Sequence, residues 1–263
     1  MTHPIQQGSV KTSIENGIAT IEFHHPQSNS LPSKLLKELA DAIDHSGSNE
    51  EVSLIVIKSA GEHAFCAGAS FDELSQIDDV KSGKVFFSGF AQVINAIRTC
   101  GKIVIGRVQG KTVGGGLGIA AATDYCFATQ FADVKLSELS IGIGPFVVGP
   151  AIERKIGLAN MSSLTLNASE WKSAAWAKDK GLYAETFDSI SQMDEAIECL
   201  ASKLSKSNPE ALNALKTMFW EGTENWEELL TKRAEITGQL VLSEFTREAI
   251  QKFKKKFDTP SIK

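Results

Sequence analysis

The 263-residue chain has no apolar run near the ~20 residues that a membrane-crossing helix requires. Its four cysteines (Cys66, Cys100, Cys126 and Cys199) stand far apart, with no CxxC pair. They fit the reduced thiols of a cytoplasmic protein better than a disulfide framework. The five histidines include the pair His24-His25 but no HExxH or similar spacing, so no metal site is expected. Positive charge is in deficit: 27 Lys and Arg stand against 32 Asp and Glu, for a net charge of −5. That balance argues against general nucleic-acid binding. The segment Met1 to Val10 is polar and lacks a secretory apolar core. Internal repeats, low-complexity stretches and long linkers are absent too. What the chain does have is 42% hydrophobic and 22% charged residues, ordinary for a globular protein, and enough length for a sizeable core.

Patterning divides the chain at about Ser189. Before it, strand and helix signals alternate, which argues for an α/β architecture. Val10–Ile14 and Ile18–Phe23 read as strands joined by Asn16-Gly17, a strong hairpin signal. Leu31–His45 repeats apolar residues at helical spacing, with Ser30 as its N-cap and Pro32 in its first turn. Leu54–Lys58 and Ile103–Val108 read as buried strands, and Val85–Ile97 as an amphipathic helix between them. Gly118–Thr123 is a small-residue helix, followed by short strands at Tyr125–Ala128 and Val134–Leu136. Beyond Ser189 strand signals vanish. Met193–Leu204, Pro209–Trp220, Trp226–Val241 and Phe245–Phe257 all read as helices. Their apolar faces call for cover, which an oligomer contact would supply.

The chemistry-bearing residues are few. Ala67-Gly68-Ala69 and Gly114-Gly115-Gly116-Leu117-Gly118 are glycine turns that can each aim a backbone N–H at one carbonyl oxygen, making an oxyanion hole. Glu138 lies in an otherwise uncharged stretch, Leu136 to Gly144, where desolvation would raise its pKa toward a value useful for proton transfer. Asp124 reads as a structural residue between helix and strand. Asp72 and Glu73 read as a solvated helix face rather than as a replacement acid.

In order and spacing, these residues resemble the crotonase family, also called the enoyl-CoA hydratase/isomerase family. The likeness runs from Asn16-Gly17 through Ala64–Ala69, Gly114–Gly118, Asp124 and Ser137-Glu138-Leu139 to Phe253–Lys256. It implies a spiral of ββα turns over residues 1–188 and a helical trimerisation region over 189–263. It further implies a homotrimer or dimer of trimers acting on acyl-CoA thioesters, with neither nucleic acid nor membrane as a partner. By resemblance, the backbone N–H groups of Ala69 and Gly115 are the oxyanion donors, and Glu138 is the second of the family's two glutamates. Gly118 occupies the position of the first. Ser28, Asn29, Leu31, Ala67 and Phe71 match positions along the adenine and pantetheine path of coenzyme A. Phe253 and Lys256 match positions that reach a neighbour's CoA phosphate. Pro145-Phe146 resembles the acyl-pocket loop of some family isomerases. No redox cofactor or metal is implied, since coenzyme A enters as part of the substrate. With a single carboxylate, the expected reaction is isomerisation of a 3-enoyl-CoA to a 2-enoyl-CoA. Hydration is the alternative, with a water in the space left by Gly118 standing in for the missing acid. Thioester hydrolysis and acyl-CoA binding without turnover are further alternatives.

Overall fold

The computed structural model describes residue 5 and residues 7–258, with side chains as far as Lys252. It opens on the expected hairpin. Strands β1 (Ser9–Glu15) and β2 (Ile18–His24) pair antiparallel, with Glu15 opposite Ile18. The turn residues Asn16 (φ 51°) and Gly17 (φ 79°) both take the left-handed conformation that matches the strands' twist. Helix α1 (Ser33–Ser48) follows, then β3 (Leu54–Ser59) and the short β4 (Ala64–Cys66). A four-residue helix α2 (Phe71–Leu74) leads to the long α3 (Val80–Thr99). The pattern then repeats as β5 (Ile103–Val108), β6 (Lys111–Val113) and α4 (Gly115–Ala122), and again as β7 (Tyr125–Thr129), β8 (Val134–Lys135) and α5 (Gly149–Leu166). Helix α6 (Ala174–Asp179) and β9 (Glu185–Phe187) close the series.

Each turn of this coil lays one strand in each of two sheets. The larger sheet runs β1-β2-β3-β5-β7-β9, parallel from β2 onward, and the smaller runs β4-β6-β8, all parallel. This is the expected spiral of ββα turns. Its main core lies between the large sheet and helices α1, α3 and α4, with Phe23, Leu35, Ile57, Val93 and Leu117 all buried there. Helix α7 (Ile190–Leu204) covers the opposite sheet face, packing Met193 and Ile197 against Val56, Ile105 and Phe127.

The last three helices are α8 (Pro209–Phe219), α9 (Trp226–Leu240) and α10 (Glu244–Asp258). Helix α9 buries Leu230 and Ala234 within its own chain, against α3. The crossing is close because Gly83 and Gly238 meet there: a Cβ on Gly83 would lie 2.8 Å from Gly238 Cα. Asp124 bolts α8 to the sheet and is structural, as expected. Its Oδ2 accepts from Lys216 Nζ at 2.7 Å and its Oδ1 from the Trp220 indole at 2.8 Å. The two charged side chains are only 2% and 3% exposed.

Several boundaries depart from expectation. Helix α1 is capped at Pro32 rather than Ser30, because the backbone of Leu31 is held extended by residues 68 and 70. Helix α3 starts five residues before the expected Val85, at Val80, on a capping box in which Asp79 Oδ1 accepts the Ser82 N–H at 2.6 Å. Helix α4 begins at Gly115 rather than Gly118. Strands β4, β6 and β9 have three residues each, too short to show a period of two. Helices α5 and α6 carry weak periodicity and were not expected. Among the described residues no helix is long and apolar enough to cross a membrane.

Candidate active site

The three strands of the small sheet end side by side, and the predicted chemistry lies just past their carboxyl ends. Ala67-Gly68-Ala69 follows β4, Gly114-Gly115 follows β6, and Ser137-Glu138 follows β8. All seven residues line one cavity of about 60 Å³. Carboxyl ends of parallel strands are where such sheets place ligands.

The first turn is suspended from the loop before α1. Leu31 N–H donates to the Gly68 carbonyl at 2.8 Å, and Ser70 N–H donates to the Leu31 carbonyl at 3.3 Å. Successive N–H groups of an extended chain point to opposite sides, so the intervening Ala69 N–H faces away from Leu31. Asn29 anchors that loop. Its side-chain amide donates to Ala60 O (2.9 Å) and Ala64 O (3.0 Å), and its Oδ1 accepts the His25 N–H (3.0 Å). Cys66 supports the turn from beneath, its Sγ accepting the Gly68 N–H at 3.4 Å; burial pushes this thiol up to about 12 and keeps it neutral.

The second turn sets Gly115 as the first residue of α4, where a helix leaves its N–H groups without internal acceptors. Neither the Ala69 nor the Gly115 N–H is taken by a backbone acceptor among the described residues. The two turns are in contact, since a Cβ on Gly68 would lie 3.6 Å from Gly115 N. Gly114 is required as glycine twice over. Its φ of 53° sits in the left-handed region, and a Cβ there would come within 2.8 Å of Glu138 Oε1.

Glu138 opens a single 3-10 turn (Glu138–Ile141) that the left-handed Gly142 closes, so its carboxyl faces the first residues of α4. Its Oε2 is shut off from solvent and has no hydrogen-bond partner among the described residues. Burial is the dominant influence and raises the carboxyl from 4.5 to about 7, with a smaller opposing pull from its own N–H. A carboxyl poised there holds or releases a proton near neutrality.

Around it the walls are apolar. Val148 fills the place a side chain at position 118 would take: a Cβ on Gly118 would lie 2.5 Å from both Cβ and Cγ1 of Val148. The expectation of a water in that space is therefore corrected, because a valine occupies it. Asp72 and Glu73 stay outside the cavity, and each is tied to a neighbouring segment, the loop before α1 or the start of α1, rather than merely solvated. Asp72 Oδ2 accepts from Gln27 Nε2 and Glu73 Oε2 from Ser33 N–H, both at 2.7 Å.

The residues matched to the coenzyme path separate into groups. Ala67 and Phe71 line the cavity. Asn29 and Leu31 are buried and committed to holding the first turn, while Ser28 is exposed and accepts the Ala67 N–H through its carbonyl. Phe253 and Lys256 lie outside the described side chains. Pro145 and Phe146 also line the cavity. Sequence reasoning missed Val148, Phe87, Phe90 and Thr237, which come from α3, α9 and the loop before α5. For Phe87 and Phe90 the signal is apolar helix periodicity, which marks burial without saying against what; Val148 and Thr237 carry none.

A family profile described as enoyl-CoA hydratase/isomerase matches residues 13–260. A protein of Clostridium acetobutylicum named short-chain-enoyl-CoA hydratase is 27% identical over 242 residues, covering 91% of this chain and 92% of its own. The peroxisomal Delta(3,5)-Delta(2,4)-dienoyl-CoA isomerase of Arabidopsis thaliana is 28% identical over 238 residues, covering 84% of each chain. Among solved structures, an enoyl-CoA hydratase from Bacillus halodurans superposes with a TM-score of 0.84 at 21% identity, covering 92% of this chain and 99% of that one.

Proposed function

We propose that this chain, which belongs to the enoyl-CoA hydratase/isomerase family, moves the double bond of a 3-enoyl-CoA into conjugation with its thioester carbonyl. The observation that carries the reading is that Glu138 is the one carboxylate among the described residues lining the cavity, while Gly118, at the position of the family's first glutamate, is packed under Val148.

The thioester oxygen accepts hydrogen bonds from the Ala69 and Gly115 N–H groups. Helix α4 adds the positive end of its dipole at Gly115. Glu138 removes a proton from C2. The C–H electron pair enters the π-system, and the resulting dienolate places its negative charge on the oxygen between the two donors. The same carboxyl then returns its proton at C4, leaving the double bond between C2 and C3. Substrate and product have equal mass, and the sequence needs no metal or redox group. One such donor is worth about 10²–10³ in rate. Proton abstraction is favoured by a base whose pKa lies near the working pH, which is where burial places Glu138.

Hydration asks for two groups to hold and activate a water, and among the described residues the walls around Glu138 offer no second carboxylate. The test is mass-resolved product analysis with 3-butenoyl-CoA. Conversion to the conjugated isomer at unchanged mass, abolished in Glu138→Gln, is expected. Gain of one water would move the assignment to a hydratase, and release of free CoA to a hydrolase.

The same reading makes the chain a homotrimer or dimer of trimers acting in the cytoplasm, with residues 189–263 as the oligomerisation region. Exposed Leu158, Leu166, Met218 and Phe219 supply apolar surface for such contacts. A monomeric mass by light scattering would refute the assembly.

A further inference from the structure

We infer that the acyl group taken by this site is a short, uncharged hydrocarbon chain, and that Phe146 sets its length limit. The inference rests on the acyl-CoA reading above and deepens it.

The charge argument comes from the walls. Among the described residues no Lys, Arg or His lines the cavity, and the only polar side chains there are Ser137, Glu138 and Thr237. The Thr237 hydroxyl is already donated to the Arg233 carbonyl at 2.9 Å. A carboxylate on the acyl chain would lose its hydration with no cation to replace it. It would also share the space with the carboxyl of Glu138, a like charge.

The length argument comes from volume and from how Phe146 is fixed. A water-sized group needs about 10–15 Å³ of such space. A cavity of about 60 Å³ thus takes about four to six heavy atoms, close to a thioester oxygen and a four-carbon chain. Phe146 does not swing freely to enlarge it. Its ring packs onto Gly144, where a Cβ would lie 2.6 Å from two ring carbons. Its carbonyl accepts from Arg233 Nη1 of α9 at 3.2 Å. The loop wall and the helix wall are therefore joined at this residue.

Titration calorimetry with unreactive ligands tests the inference apart from turnover. The probes are CoA, butyryl-CoA, octanoyl-CoA and succinyl-CoA, against wild type, Phe146→Ala and the more conservative Phe146→Leu. In an open apolar groove each added methylene raises affinity about fourfold, so octanoyl-CoA would bind far more tightly than butyryl-CoA. The small volume walled by Phe146 predicts the reverse order in wild type, by about tenfold or more, with succinyl-CoA no tighter than CoA alone. Both Phe146 variants should recover octanoyl binding while remaining folded by circular dichroism. Octanoyl-CoA bound as well as butyryl-CoA by wild type would overturn the length limit, as would variants that leave the order unchanged. Succinyl-CoA bound as tightly as butyryl-CoA would overturn the charge argument. Failure of CoA and every acyl-CoA to bind would instead refute the acyl-CoA reading itself.

Discussion

Glu138 carries a cost that a change of pH exposes. Its carboxyl is raised from 4.5 to about 7 because burial disfavours the charged form. Between those values the folded chain holds a proton that the unfolded chain has released. Stability therefore falls as pH rises through this window, and the full penalty is present above about pH 7. At about 1.4 kcal/mol per pH unit, the interval corresponds to about 3 kcal/mol, an upper figure that any relaxation around the carboxylate would reduce. Glu138→Gln keeps the shape and removes the titration. The variant's amide has its own packing and hydrogen-bond cost, but that cost is independent of pH. The informative quantity is thus the change in the stability difference between variant and wild type. From pH 5 to pH 8 it should move by about 2–3 kcal/mol in favour of the variant. Urea unfolding followed by circular dichroism at half-unit pH steps measures it. A difference that stays flat across the range would refute the claim that this carboxyl is desolvated in the folded chain.

Turnover should follow the same group from the other side. With Glu138 as base, kcat/KM should rise about tenfold per pH unit below about 7 and level off above it, and stopped-flow rates across pH 5–9 would show whether it does. Gly118→Glu alone should destabilise the chain by about 1–3 kcal/mol or more, because its Cβ meets Val148; pairing it with Val148→Gly should recover folding, as thermal unfolding would report. Asn29→Asp removes the donors to Ala60 O and Ala64 O, so it should cost about 2–3 kcal/mol in urea unfolding and lower kcat more than it raises KM. Lys216→Met leaves the Asp124 carboxylate buried without its ion pair and should cost about 3–5 kcal/mol in the same assay, with little change in acyl-CoA affinity.

How much of this was legible beforehand follows from the range of each signal. Asn16-Gly17 specifies its turn through the φ values of two adjacent residues, so the turn was readable to the residue and the strands to within one residue at their ends. That the two glycine turns and Glu138 would meet in one cavity was legible from their order and spacing, which the family resemblance supplied. Helix α9 was legible as a helix, but its partner was not: the contact of Gly83 with Gly238 joins segments remote in sequence. Val148 was invisible for the same reason, since a valine in a loop carries no mark that it will sit over Gly118. Leu31 misled the placement of the α1 cap. Its apolar character fits the helical stripe, while its backbone is held extended in a bridge to Ala69. The short strands β4 and β6 escaped periodicity, whereas β8 was read as Val134–Leu136; together the three carry the candidate site.

Those three strand ends have a consequence for how the molecule can change. Ala69, Gly115 and Glu138 ride on successive turns of the coil, one per strand of the small sheet. The proposed oxyanion donors and the proposed base therefore descend from separate stretches of chain, and each stretch can be rewritten while the other two stay in register. Loss or gain of an acid at position 118 alters only what the second turn brings. The scaffold behaves as a holder with interchangeable bits. A lineage built on it can exchange one reaction for another by substitutions in a single turn, without inventing a new way to grip the thioester.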